Sequence, residues 1–80
     1  MIRVEARYFA AFREQAGCQQ ESISTNATNV EELYAEVATR HGFLDRTSRC
    51  KVAINDALAD WRAPIRQGDV VLFFPPVAGG

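Results

Sequence analysis

Histidine occurs once in this chain, at His41, and cysteine twice, at Cys18 and Cys50. One imidazole and two thiols so far apart do not make a zinc site, and their spacing fits no redox motif. The thiols are read as unpaired, in a reducing compartment, which makes the cytosol the expected location. No Ser or Cys stands in an evident constellation with a base and a third orienting group, so His41 is assigned to the end of a helix, where the dipole favours a cation. No G-x-x-x-x-G-K-[ST] loop is present, which argues against ATP binding by this chain. Apolar runs stop well short of the ~18 residues that a membrane span requires, and Met1-Ile2-Arg3-Val4 reads as a strand rather than a signal peptide. Basic residues are dispersed from Arg3 to Arg66 at a net charge of −1, with no stripe for nucleic acid. Repeats, low-complexity tracts and interdomain linkers are missing as well.

What is present suits one small globular domain. Eighty residues, 48% apolar and 24% charged, permit a modest core and no deep enclosed active site. Residues Ile2 to Phe9 alternate, with Ile2, Val4, Ala6 and Tyr8 on one side and Arg3, Glu5, Arg7 and Phe9 on the other, as in a half-buried strand. Ala10 to Ala16 is rich in helix formers and is followed by Gly17, a suitable C-terminal cap. Gln19 to Thr25 is a weaker strand, centred on Ile23, expected to pair with the first. Thr28-Asn29-Val30-Glu31 reads as a capping box, with Thr28 and Glu31 each satisfying a free N–H. Behind it Val30, Leu33, Tyr34, Val37 and Ala38 form one apolar helix face, which Gly42 ends. Glu31, Glu32 and Glu36 belong to the solvated side of that helix and its cap.

The second half is extended. A polar loop, Asp45 to Arg49, leads to a short strand, Cys50 to Ile54, a turn at Asn55-Asp56 and a brief extended piece at Leu58. Trp61 to Ile65 crosses over, with Pro64 excluding regular structure. Gln67-Gly68-Asp69 turns into Val70 to Phe74, five consecutive apolar residues. The pattern predicts an α+β domain: a sheet with one main helix packed on one face. Alternation puts Val71 and Phe73 on one face of the last strand, and Val70, Leu72 and Phe74 on the other. A single long helix covers one face only. Some of Val70, Leu72 and Phe74, with Phe9, are therefore expected to lie open as a partner surface, unless the Trp61 loop folds over them.

Beyond the strand the sequence reads Pro75-Pro76-Val77-Ala78-Gly79-Gly80. The prolines end strand pairing and leave the backbone extended. Six residues in that geometry reach roughly 19 Å. Gly79 and Gly80 lack Cβ atoms and fit a channel too narrow for side chains. The expected division is a folded body over residues 1–74 and an extended arm over 75–80. Its only chemistry at the tip is the terminal carboxylate of Gly80, ionised at neutral pH and a poor electrophile until another protein activates it.

FFPPVAGG, preceded by GDVV, resembles the C-terminal signature of the MoaD/ThiS family of ubiquitin-like sulfur carriers, on the side of the molybdopterin synthase small subunits. YFAAFREQAG (Tyr8 to Gly17) is similar to the family's first-strand-to-helix segment, and VAINDAL (Val52 to Leu58) to its central strand and turn. Val70-Val71 departs from the usual acidic residue plus valine after Gly-Asp, and Trp61 stands where the family varies. The resemblance implies a β-grasp fold with the last strand beside the first in the middle of a mixed sheet. It implies that an E1-like (MoeB-like) adenylyltransferase uses Mg-ATP to form an acyl-adenylate on Gly80. A sulfur donor then displaces AMP and leaves a thiocarboxylate. The large (MoaE-like) synthase subunit would take up the arm, and sulfur would pass to cyclic pyranopterin monophosphate on the way to the molybdenum cofactor. The family complex is a heterotetramer, with Phe9, Leu58 and Phe74 matching its apolar docking positions. No cofactor is expected to be bound by the chain itself.

Two other readings remain open on sequence. The same tail serves carriers for thiazole, cysteine or tRNA sulfur and modifiers attached to lysines, although carriers of the ThiS type tend to lack the double proline. A plain β-grasp binding module would make the tail irrelevant.

Overall fold

The computed structural model describes residues 1–76. Val77, Ala78, Gly79 and Gly80, and with them most of the expected arm, lie outside the described residues. The first strand, β1, runs Ile2–Tyr8 and buries Val4, Ala6 and Tyr8 on one side as its alternation requires. It stops one residue before the expected end: Phe9 is past the strand, although its N–H still donates to the Phe73 carbonyl at 3.2 Å. A short helix, α1 (Ala11–Ala16), follows and closes on Gly17, whose φ of 75° is the left-handed cap that glycine supplies. Strand β2 (Gln20–Thr25) pairs antiparallel with β1, setting Ile23 opposite Val4 in the core.

The main helix, α2, spans Val30–His41 and buries Val30, Leu33, Tyr34 and Val37, with Ala38 half-buried beside them. Its cap lies one residue later than the sequence suggested. Asn29, not Thr28, is the capping residue: its Oδ1 accepts from the Glu32 N–H at 2.8 Å, while Glu32, not Glu31, reaches back to the Thr28 N–H at 2.7 Å. The crossing segment decides this register. The carbonyls of Ala63 and Trp61 accept from the Val30 and Glu31 N–H groups at 3.1 and 2.9 Å, which provides for two further unpaired donors of the first turn. Pro64 therefore does not isolate its neighbourhood from regular structure, since it forms a bridge with Asn29.

Gly42 ends α2 with φ 76°. The stretch read as a plain polar loop contains a 3-10 turn over Thr47–Arg49. Strand β3 (Lys51–Ile54) begins one residue after Cys50 and turns back into β4 (Ala57–Leu58) through Asn55 and Asp56, both at positive φ. Strand β5 (Val70–Phe74) then enters the middle of the sheet, parallel to β1 and antiparallel to β3, giving the order β2-β1-β5-β3-β4. This is the mixed sheet with one main helix that the sequence predicts, in the β-grasp arrangement. Helix and sheet enclose an aromatic core in which Phe12 stacks on Phe43 at 4.4 Å, and Phe73 lies between Tyr8, Tyr34 and Trp61. Burying each such side chain contributes roughly 1.5–3 kcal/mol.

Candidate functional site

Cross-strand register builds a surface on the sheet face away from α2. Arg7 sits beside Leu72, Leu72 beside Ala53, and Ala53 beside Leu58, in one row across four strands. The next row places Lys51 opposite Phe74, whose ring meets that of Phe9 at 5.5 Å. Phe9 and Leu58 are 55% and 76% exposed, and Val70, Leu72 and Phe74 are half-buried, so the patch is open to solvent. Trp61 does not cover it. Its indole packs on Phe73 and Tyr34, on the helix side of the sheet. Of the expected docking residues, Phe9 and Phe74 touch, while Leu58 shares their face across the intervening β3. Ala53 fills the gap as the shared neighbour of Leu72 and Leu58, a role that strand spacing alone does not reveal.

The patch ends at the start of the expected arm. Pro75 and Pro76 follow directly on β5, half-buried, and leave the sheet beside the Phe9–Phe74 pair. Phe9 is held there by a tight corner. The Phe12 N–H donates to its carbonyl at 3.1 Å, and Ala10 between them has φ 52° and ψ −122°, a region that favours glycine. Such a conformation costs of order 1–3 kcal/mol and persists only when its surroundings impose it. Here the buried Phe12 on one side and the Phe9 N–H bond to β5 on the other fix it.

At the edge of the core, Glu21 accepts from the Tyr8 hydroxyl and pairs with His41 Nε2, while Arg40 approaches at 3.4 Å. His41 thus ends α2 as expected, but a side-chain carboxylate as well as the dipole holds it there. Burial pushes the Glu21 carboxyl up, yet the bonds from Tyr8 and His41 and the charges of His41 and Arg40 outweigh it and hold the group below the usual range. Burial, then the bond and charge of Glu21, drive the Tyr8 phenol up. A carboxyl depressed on folding stabilises the fold above its unfolded value, about 4.3, and that contribution is lost as pH falls through the folded value. The denaturant midpoint should therefore drop between about pH 5 and pH 3, and less steeply in Glu21→Gln. An equal slope in the variant would place the acid sensitivity elsewhere.

The cysteines are free, and burial first, then neighbouring carboxylates, pushes both thiols up, away from nucleophilic character. Among the described residues no group of His, Cys, Asp and Glu could hold a metal ion, and no helix is long and apolar enough to cross a membrane. What the described residues do present is the exposed apolar patch around Phe9, Leu58, Leu72 and Phe74, next to Pro75 and Pro76.

The model of the ThiS family matches residues 6–80. The chain belongs to the ThiS family. The molybdopterin synthase sulfur carrier subunit of Mycobacterium tuberculosis is 34% identical over 83 residues, covering 100% of both chains. Among solved structures, the putative molybdopterin converting factor subunit 1 from Pyrococcus furiosus superimposes with a TM-score of 0.79 at 31% identity, over 96% of this chain and 100% of that one. A complex of subunits 1 and 2 of the molybdopterin-converting factor from Helicobacter pylori matches at TM-score 0.67 and 31% identity, over 99% of this chain and 100% of that one. In this ThiS-family member Trp61 is half-buried, packs against the core beside Phe73 and Tyr34, and leaves the open face untouched.

Proposed function

We propose that the chain carries sulfur as a thiocarboxylate on Gly80 and delivers it within a molybdopterin synthase. It is a sulfur carrier of the small-subunit type, a non-catalytic sulfur-donating component of a larger enzyme. The observation that carries the reading is the coincidence of the family match over residues 6–80 with an open apolar face ending at the Pro75-Pro76 arm root. In the cycle, an E1-like adenylyltransferase joins the Gly80 carboxylate to AMP and releases pyrophosphate. A sulfur donor attacks the acyl carbon and expels AMP. The resulting thiocarboxylate is a good nucleophile at neutral pH. Inserted by the arm into the large subunit, it attacks the cyclic pyranopterin, and hydrolysis of the acyl–sulfur link restores the carboxylate. Two carriers are used for each dithiolene. Val77, Ala78 and Gly79 give the arm its slender tip, Pro75 and Pro76 its stiff root, and Phe9, Leu58 and Phe74 its docking surface. ATP and the acyl-adenylate belong to the activating partner's site, in the cytoplasm.

Incubation with the cognate activating enzyme, Mg-ATP and a sulfide source should add the mass of one oxygen-to-sulfur exchange, located at Gly80 by fragmentation. An unchanged mass with an enzyme that still releases pyrophosphate would remove Gly80 as the carrier.

A further inference from the structure

Charge is distributed unevenly around the docking face. The chain as a whole carries −1, yet the open sheet face presents three cations, Arg3, Arg7 and Lys51, against a single carboxylate, Glu5. The acidic residues gather elsewhere: Glu31, Glu32 and Glu36 lie on α2, and Glu21 faces that helix from β2. Glu5 is already paired with Arg7. Lys51 is different. It is the one lysine of the sequence, it is exposed, and among the described residues it has no carboxylate within ion-pair distance. Register sets it directly opposite Phe74, the last residue before the arm.

We infer that the open face recognises a partner protein with an apolar centre and an acidic edge, and that Lys51 reads that edge at the arm root. The inference rests on the sulfur-carrier reading and gives the chemistry of its partner. Docking over Phe9, Leu72, Phe74 and Leu58 brings the partner's edge up to the exposed Lys51 ammonium, where a carboxylate is attracted and a like charge is repelled. A second copy of this chain does not fit. Two-fold pairing through this face sets a net positive surface against itself, and like charges in contact are destabilising. A basic edge on the partner meets the same objection. Because Lys51 lies at the rim, its contribution is to encounter rate and orientation, so the arm is presented to the partner in one direction.

The test follows association of the full chain with its cognate large synthase subunit by stopped-flow, at about 20 mM and about 500 mM salt. Lys51→Glu should associate about tenfold more slowly than wild type at low salt, with Lys51→Gln between them and the three converging at high salt. Both variants alter an exposed side chain and should keep the wild-type thermal midpoint. Wild-type binding with rates indifferent to residue 51, or faster in Lys51→Glu, overturns the acidic edge alone. Homodimerisation of the free chain through this face, blocked by Lys51→Glu, overturns it in favour of a second copy. A wild-type chain with no affinity for the large subunit overturns the sulfur-carrier reading and this inference together.

Discussion

Deletion of Gly80 is expected to abolish sulfur transfer while leaving the thermal midpoint of the domain unchanged. The two halves of that result have separate physical origins. Among the described residues the core runs from Val4 to Phe73 and the last strand ends at Phe74, so the fold is expected to stand without Gly80. The reacting carbon, by contrast, moves back by about 3.3 Å, one extended residue. Displacements of 1 Å at a reacting centre already cost about a hundredfold, so a whole residue should bring transfer to background. Converting the Gly80 carboxyl to a primary amide keeps arm length and removes only the group to be adenylated. It should block thiocarboxylate formation completely and leave association with the large subunit intact. Transfer that survives either change would mean that sulfur travels on another residue, and the free but high-pKa Cys18 and Cys50 would be the first to examine.

Local patterns and long-range pairings differ in how plainly the sequence shows them. The apolar face of α2 is written in side chains three and four apart, a local pattern that packing merely uses, and it is found at Val30, Leu33, Tyr34 and Val37 as expected. Alternation along β5 is equally local, and it correctly divides the buried Val71 and Phe73 from the half-open Val70, Leu72 and Phe74. The exposed patch follows from counting helices against sheet faces. Long-range pairing is harder to read. Thr28 and Asn29 are both good capping residues, and the choice between them falls to carbonyls of Trp61 and Ala63, more than thirty positions away. Ala53 joins the row from Leu72 to Leu58 only because β3 pairs with β5 and β4 in one particular register. Ala10 is ordinary on paper, and its positive φ arises from the corner between a strand tied to β5 and a helix anchored by Phe12. The Glu21–His41 link joins residues twenty apart, and nothing in either neighbourhood announces it.

Phe73 and Phe74 turn this reasoning into a paired expectation, since adjacent residues of one type should fail in opposite ways. Phe73 is fully buried and its ring lies within 6.2 Å of those of Tyr8, Tyr34 and Trp61. Phe73→Ala should cost about 3–5 kcal/mol, counting lost transfer and the cavity left behind. A domain of this size holds roughly 4–12 kcal/mol in all, so the variant should lose a large share of its stability and its urea midpoint should fall steeply. Phe74 faces the other side, half-exposed, with Phe9 as its aromatic neighbour. Phe74→Ala should lower stability by about 1 kcal/mol, within the range of partly buried positions. Its effect on docking should be larger. Aromatic anchors at the centre of an interface are worth about 2 kcal/mol or more, which corresponds to a roughly thirtyfold rise in Kd for the large subunit. Urea denaturation measures the first quantity and titration calorimetry the second. A Phe74→Ala chain that binds as wild type would move the docking surface off this face, away from the strand end that leads into Pro75.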